Sequence, residues 1–122
     1  MAIRFFEATI AACAAISDAF PFQNQKIVSV ANPAAWTGAD ITFEVEYPSG
    51  TFTKVVDRAG ALYKLSGVAT STAEYRLMSG DANQAHVVLT GPMNGRIVST
   101  NTGSEANVNQ AAARTILVVM DC

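Results

Sequence analysis

The fold of this chain is decided by the stretch Ile41-Thr42-Phe43-Glu44-Val45-Glu46-Tyr47. Its odd-numbered residues are apolar or aromatic and its even-numbered residues are polar, which is the period-two alternation of a half-buried β-strand. The turn Pro48-Ser49-Gly50 follows, and a second β-rich run covers residues 51–57. Two such runs around a short Pro/Gly turn predict a β-hairpin.

Runs of similar length and composition recur along the chain between Gly, Pro, Asn and Ser residues. They cover residues 26–31, 60–65, 74–78, 85–90, 95–100 and 114–120. Short strands at regular spacing predict an all-β protein, and we expect one antiparallel, jelly-roll-like β-sandwich domain over residues 1–122 with an N-terminal arm. The run at 114–120 is apolar on both faces, so we expect it either in the middle of a sheet or beneath a partner.

The N-terminal segment, residues 7–19, has no clear period. Its alanines permit a helix, but we favour a strand and keep the helix as the alternative. The apolar run at 10–16 is flanked by Glu7 and Asp18, which argues against a signal peptide. No apolar run approaches the ~18 residues of a membrane span.

The composition is poor in charge. Only 15% of the residues are charged, 50% are hydrophobic, the net charge is −2 and the mean hydropathy is +0.24. The eight Lys and Arg residues are scattered singly, which excludes the clustered positive charge of a nucleic-acid site. We expect Cys13 and Cys122 to be reduced thiols, with Cys13 packed as a small apolar residue. Low charge without visible chemistry indicates a protein that meets other protein surfaces.

The sequence contains no convincing catalytic or metal-binding constellation. His86 is the only histidine and cannot complete a zinc site with two distant cysteines of one chain. Glu44 and Glu46 share one strand face, where solvent exposure explains them better than acid–base catalysis. Residues 81–83 lack the glycine and final glutamate of a calcium-binding loop. We therefore predict no enzymatic activity, no metal and no cofactor.

Two loops carry candidate contact residues. The first, residues 32–40, holds the only tryptophan, Trp36. We favour Trp36 as a core residue beneath the sandwich, and the alternative is an exposed platform for a sugar or a protein partner. The second loop, residues 101–113, is long and polar, and loops of this length in a compact domain are often functional.

Two segments resemble a group of small bacteriophage proteins. One is Pro33-Ala34-Ala35-Trp36-Thr37-Gly38-Ala39-Asp40-Ile41-Thr42-Phe43, which is similar to their string Pro-Ala-x-Trp-Thr-x-Ala-x-[ILV]-Thr-Phe. The other is Val108-Asn109-Gln110-Ala111-Ala112-Ala113-Arg114-Thr115-Ile116, which is similar to their terminal string Val-Asn-Gln-Ala-Ala-x-Arg-x-[ILV]. Residues 8–12 agree more loosely, and residues 66–93 depart from the group. The resemblance implies a β-sandwich structural protein of the virion, such as a capsid decoration (cement) protein.

We therefore expect a non-enzymatic bacteriophage structural protein that stabilises the head by bridging capsid subunits. Its partners are expected to be the major capsid protein and copies of itself in a symmetric homo-oligomer such as a trimer, with no nucleic acid and no membrane. It would be made in the bacterial host cytoplasm and reside on the capsid surface. The candidate contact residues are Phe5, Phe6, Trp36, Asn109, Gln110 and Arg114.

Two alternative functions remain open from the sequence. One is a carbohydrate- or receptor-binding module of a head fibre or tail, which predicts an exposed aromatic side chain in a shallow groove. The other is a head–tail joining or tail ring protein, which predicts a ring of fixed copy number.

Overall fold

The computed structural model of the chain describes residues 3–22, 24–78, 89–90 and 93–121. Within these residues the chain forms no helix, and every strand pairing is antiparallel. The strands are β1 (Ile3–Ile10), β2 (Phe20–Pro21), β3 (Lys26–Asn32), β4 (Asp40–Glu46), β5 (Phe52–Lys54), β6 (Lys64–Leu65), β7 (Glu74–Leu77), β8 (Leu89–Thr90), β9 (Asn94–Thr100) and β10 (Arg114–Asp121). The predicted all-β class is confirmed.

The strands form two sheets with the connectivity of a jelly roll. Sheet A has the order β1-β10-β3-β7, and β8 also pairs with β3; sheet B has the order β2-β9-β4-β5, and β6 also pairs with β4. The short strands β7 and β8 lie end to end along β3, as β5 and β6 do along β4. Counting each of these pairs as one strand leaves eight strands in two four-stranded sheets, which is the jelly-roll arrangement.

The inner faces of the two sheets share one hydrophobic core. The ring of Phe20 on β2 packs against those of Phe6 and Phe22, with ring centroids 5.5 and 5.8 Å apart. The fully buried core residues include Ile10, Ile27, Val30, Ile116, Val118 and Met120 from sheet A and Phe20, Ile41, Phe43 and Ile97 from sheet B. The protein is therefore a β-sandwich whose two layers are held together by apolar burial.

The strands with a clear period lie where the sequence places them. The predicted hairpin is confirmed, because β4 and β5 pair in register and the backbone N–H of Tyr47 donates to the Thr51 carbonyl at 2.9 Å. The apolar strand β10 lies between β1 and β3 in sheet A. This position fits the expected place in the middle of a sheet, and the apolar residues on its outer side, Leu117 and Val119, face away from the core.

In the N-terminal region the favoured strand is confirmed for residues 7–10 and the alternative helix is not formed, whereas the placement of Cys13 and the strand β2 were not expected. Residues 3–10 form β1, which pairs with β10 along all of its eight residues, and the chain then turns at Ala12 and Cys13 instead of forming a helix. The expected apolar packing of Cys13 is wrong, because this residue is exposed in a turn with a φ of 63°. The two-residue strand β2 was not predicted, since so short a strand carries no periodicity.

Several sequence predictions fall outside the described residues. These are His86, the candidate calcium loop at 81–83, the first four residues of the predicted strand 85–90, and Cys122. The last two residues of that predicted strand form β8. The predicted strand at 60–65 is shorter than expected, since only Lys64 and Leu65 are paired as a strand.

Candidate functional site

The outer face of sheet B is polar, and its charges pair with one another. Arg96 on β9 donates to Glu44 Oε1 on β4 through Nη2 at 2.6 Å. The Arg96 guanidinium also lies 4.0 Å from the centre of the Phe52 ring, a cation–π contact. Asn94 Nδ2 donates to Glu46 Oε1 at 2.9 Å. Glu44 and Glu46 are thus engaged in cross-strand pairs that stabilise the sheet.

One part of the outer face of sheet A is apolar, whereas Glu7, Thr9 and Thr115 make the other end of that face polar. On the edge strand β1, Ile3 and Phe5 are 56% and 63% exposed, and on β7, Tyr75 and Leu77 are 60% and 67% exposed. On β10, residues 116, 118 and 120 belong to the core, so the alternation of the strand turns residues 117 and 119 outward. We call this surface the apolar face; its exposed members are Ile3, Phe5, Tyr75 and Leu77, whereas Leu117 is half-buried and Val119 is only 4% exposed.

The strand register arranges the apolar face as a row across the sheet. Phe5 lies opposite Val119, Val119 opposite Ser29, and Ser29 opposite Leu77. Since neighbouring strands are about 4.8 Å apart, this row is about 14 Å wide. The Tyr75 hydroxyl and Ser29 Oγ are hydrogen-bonded at 2.5 Å, so the polar end of the tyrosine is satisfied within the face. Large exposed apolar patches mark surfaces that bind other proteins. Here the exposed side chains of Phe5 and Leu77 lie at the two ends of the row, with the buried Val119 and Ser29 between them.

The structure does not bring the six predicted contact residues into one surface. Phe5 lies in the apolar face, whereas Phe6 turns inward and packs against Phe20. Asn109 is exposed in the loop that precedes β10, and Arg114 is half-buried, with Nε 3.4 Å from Gln110 Oε1. Of these four, Phe5 is the residue whose large apolar side chain is available to a partner.

Trp36 belongs to the core. Its side chain is 1% exposed, and its indole Nε1–H donates to the Ala39 carbonyl at 3.0 Å. The interpretation of Trp36 as a core residue is therefore confirmed. Its placement among the contact residues is wrong, because a buried indole can stack neither on a sugar nor on a protein partner.

Gln110 is also buried, so its assignment as a contact residue is wrong as well. Its Oε1 accepts the Thr37 backbone N–H at 2.9 Å, and its Nε2 donates to Ser99 Oγ at 2.7 Å. Its backbone carbonyl accepts the Cys13 N–H at 2.9 Å, and its N–H donates to the Ala14 carbonyl at 2.8 Å. One amide residue thus ties three segments of the chain together at one end of the sandwich.

We expect Gln110→Leu to lower the free energy of unfolding by about 2–3 kcal/mol, because the Thr37 N–H and the Ser99 hydroxyl lose their partner in a buried place. Urea unfolding followed by tryptophan fluorescence measures this loss. The matched control is Asn109→Leu at the exposed neighbouring position, which we expect to change stability by less than about 0.5 kcal/mol. Equal stability of the two variants would contradict the role of Gln110.

The exposure of the apolar residues Ile3, Tyr75 and Leu77 was not predicted from the sequence. A signal for the last two was present, since Tyr75 and Leu77 occupy alternate positions of the predicted strand 74–78. For Ile3 the signal was ambiguous, because residues 3–6 are apolar on both faces of a strand except at Arg4.

The described part of the chain offers no candidate metal centre, since no three His, Cys, Asp or Glu side chains are grouped there in a way that could hold an ion. In that same part, no helix has the length and apolar character needed to cross a membrane. Comparison of the chain with protein-family models, with curated proteins and with solved structures found no match.

Proposed function

We propose that this chain is a non-enzymatic structural protein of a bacteriophage virion, which decorates the capsid and stabilises the head by bridging neighbouring capsid subunits. The observation that carries the proposal is the apolar face of sheet A, with four large apolar side chains more than half exposed. Covering apolar surface contributes about 25 cal/mol per Å². A protein that keeps such a face therefore has a reason to place it against another protein.

The bacteriophage part of the proposal rests on the resemblance of residues 33–43 and 108–116. These two segments are far apart in the chain but in contact in the structure, where Gln110 bonds to the backbone of Thr37 and the Ala111 N–H donates to Thr37 Oγ1 at 3.1 Å. Their joint resemblance is therefore to one structural unit. The jelly roll is a fold that viral capsid proteins and lectins share, although a fold alone does not determine a function.

The proposed mechanism needs no chemistry. A face with few charges loses little hydration free energy when it is covered, which favours binding to an apolar strip on a capsid subunit. Many copies bind one shell, and each copy contacts two subunits. Their weak individual contacts together give a high overall avidity. The shell then opens only when many of these contacts break together.

The alternative function is a carbohydrate-binding module. Trp36 was its main candidate for stacking on a sugar, and this residue is buried. The exposed aromatic residues that remain, Phe5 and Tyr75, lie on the outer side of a sheet. The alternative of a head–tail joining or tail ring protein differs from the first proposal in copy number.

The proposal is tested with empty capsids of the phage that encodes the chain, prepared without this protein. We expect saturable co-sedimentation of the purified chain with these shells, at a copy number that scales with the number of capsid subunits. We also expect the shells to open at a higher temperature and under a larger osmotic shock. Absence of binding with unchanged shell resistance would contradict the proposal. A small fixed number of copies at one vertex would favour the joining protein, and glycan-array binding would favour the carbohydrate module.

A further inference from the structure

The edge strand β1 is open along half of its length. It is eight residues long, whereas the strands at the other sheet edges, β7, β8, β2, β5 and β6, are two to four residues long. Within the described residues, β1 pairs with β10 on one side, and on its other side only the Ile10 end is covered, by a bridge to Ser17. Long open edges invite pairing with another strand, and proteins usually blunt them with prolines, lysines or bulges. Residues 3–7 of β1 contain no proline, lysine or bulge. Their two charged residues are Arg4, whose guanidinium turns inward to the Pro21 and Phe22 carbonyls, and Glu7.

The hydrogen bonds of Thr9 show which backbone groups face the open edge. The Asp18 N–H donates to the Thr9 carbonyl at 3.1 Å, and the Thr9 N–H donates to Asp18 Oδ1 at 2.7 Å. The backbone of Thr9 therefore points away from β10. Because successive residues of an antiparallel strand point to alternate edges, the N–H and C=O groups of Ile3, Phe5 and Glu7 point the same way.

We propose that this open edge pairs with the β1 strand of a second copy of this chain, antiparallel and centred on Phe5. In this register Phe5 lies opposite Phe5 of the second copy, and Ile3 lies opposite Glu7. All three open residues of each copy are then used, and the three pairs exchange about six backbone hydrogen bonds. A shift towards Thr9 meets the edge that Asp18 already covers.

The side chains at this edge fit a second copy. Glu7 faces Ile3 of the second copy, so the two carboxylates are not opposite each other, and like charges opposite one another are destabilising. The two Phe5 rings, each 63% exposed in one copy, cover each other across the contact, and Ile3 lies diagonal to Phe5 of the second copy. The apolar faces of the two copies then lie on the same side of the enlarged sheet, with Glu7 of each copy at the contact.

This inference deepens the proposed function, because it names the self-contact of the oligomer that would bind the capsid, but its test needs no capsid. The contact is the same patch on both copies and therefore closes as a dimer. Light scattering of the purified chain is expected to give twice the 12.8 kDa chain mass. Phe5→Lys places two ammonium groups opposite each other and is expected to give the mass of one chain, whereas Thr9→Lys is expected to leave the dimer intact.

The register is tested by oxidation of Phe5→Cys in a chain that also carries Cys13→Ser and Cys122→Ser. The two introduced thiols lie on backbones about 5.5 Å apart, within the range that a disulfide spans. Thr9→Cys is the matched control on the same exposed side of β1, since its two copies are about 26 Å apart in this register. We expect rapid cross-linking at position 5 and none at position 9, with the same melting temperature for both chains.

Three results would overturn the inference: a monomer or a trimer by light scattering, equal cross-linking at both positions, or cross-linking of position 5 to the capsid protein and not to a second copy. The last result would leave the proposed function standing. A dimer that fails to bind shells would instead contradict the proposed function and leave this contact in place.

Discussion

Replacing Trp36 with alanine is expected to lower the free energy of unfolding by about 3–5 kcal/mol, the range found for large buried aromatic residues. The indole is 1% exposed and belongs to the core that joins the two sheets, so its removal leaves a cavity that a packed sandwich cannot fill without distortion. Urea unfolding followed by circular dichroism at the strand signal measures the loss without using the tryptophan itself.

Two control variants separate the parts of this effect. Trp36→Phe keeps an aromatic ring but removes the indole N–H that donates to the Ala39 carbonyl, so we expect an intermediate loss. Tyr47→Ala removes an exposed aromatic side chain at the end of the hairpin and is expected to change stability by less than about 0.5 kcal/mol. If Trp36→Ala were as stable as Tyr47→Ala and bound shells more weakly, the tryptophan would be a contact residue after all.

The parts of the fold that the sequence predicts are those set by neighbouring residues. The alternation of Ile41, Phe43 and Val45 against Glu44 and Glu46 is local, and it survives in β4 as an apolar inner side and a charged outer side. At one position the alternation misleads, since it predicts an exposed side chain for Thr42. The polar residue Thr42 is buried, and its hydroxyl is satisfied there by a hydrogen bond of 2.7 Å with Thr100 Oγ1 on β9. Which polar residues become buried depends on the paired strand, which the local pattern does not contain.

The candidate surface could not be predicted from the sequence because it is made by register. Phe5 and Leu77 are 72 positions apart, and the pairings of β1 with β10, β10 with β3 and β3 with β7 bring them into one row. Gln110 was misjudged for the same reason. Its neighbours in the sequence are polar and small, which is typical of a surface loop, but its partners are Thr37 and Ser99.

The variant Leu77→Lys is expected to weaken binding to capsid shells by about 100-fold or more, which corresponds to about 2.7 kcal/mol. Leu77 is 67% exposed and lies at the end of the apolar row. A lysine at this position stays solvated in the free protein, so we expect no loss of folding stability. In the proposed complex its ammonium group would be buried without a partner, which is strongly unfavourable. The measurement is co-sedimentation of the variant with shells at increasing concentration, compared with the native chain.

Val56→Lys is the matched control, since Val56 is also an exposed apolar residue, 51% exposed. It forms an isolated bridge with Leu62 after β5 and lies outside the apolar face. We expect it to bind shells like the native chain and to unfold at the same urea concentration as Leu77→Lys. Because Leu77 lies three strands away from the open edge of β1, Leu77→Lys should also remain dimeric. Loss of binding with an intact dimer would assign the capsid contact to the face and the self-contact to the edge. If Leu77→Lys bound shells as well as Val56→Lys does, the apolar face would not be the capsid contact.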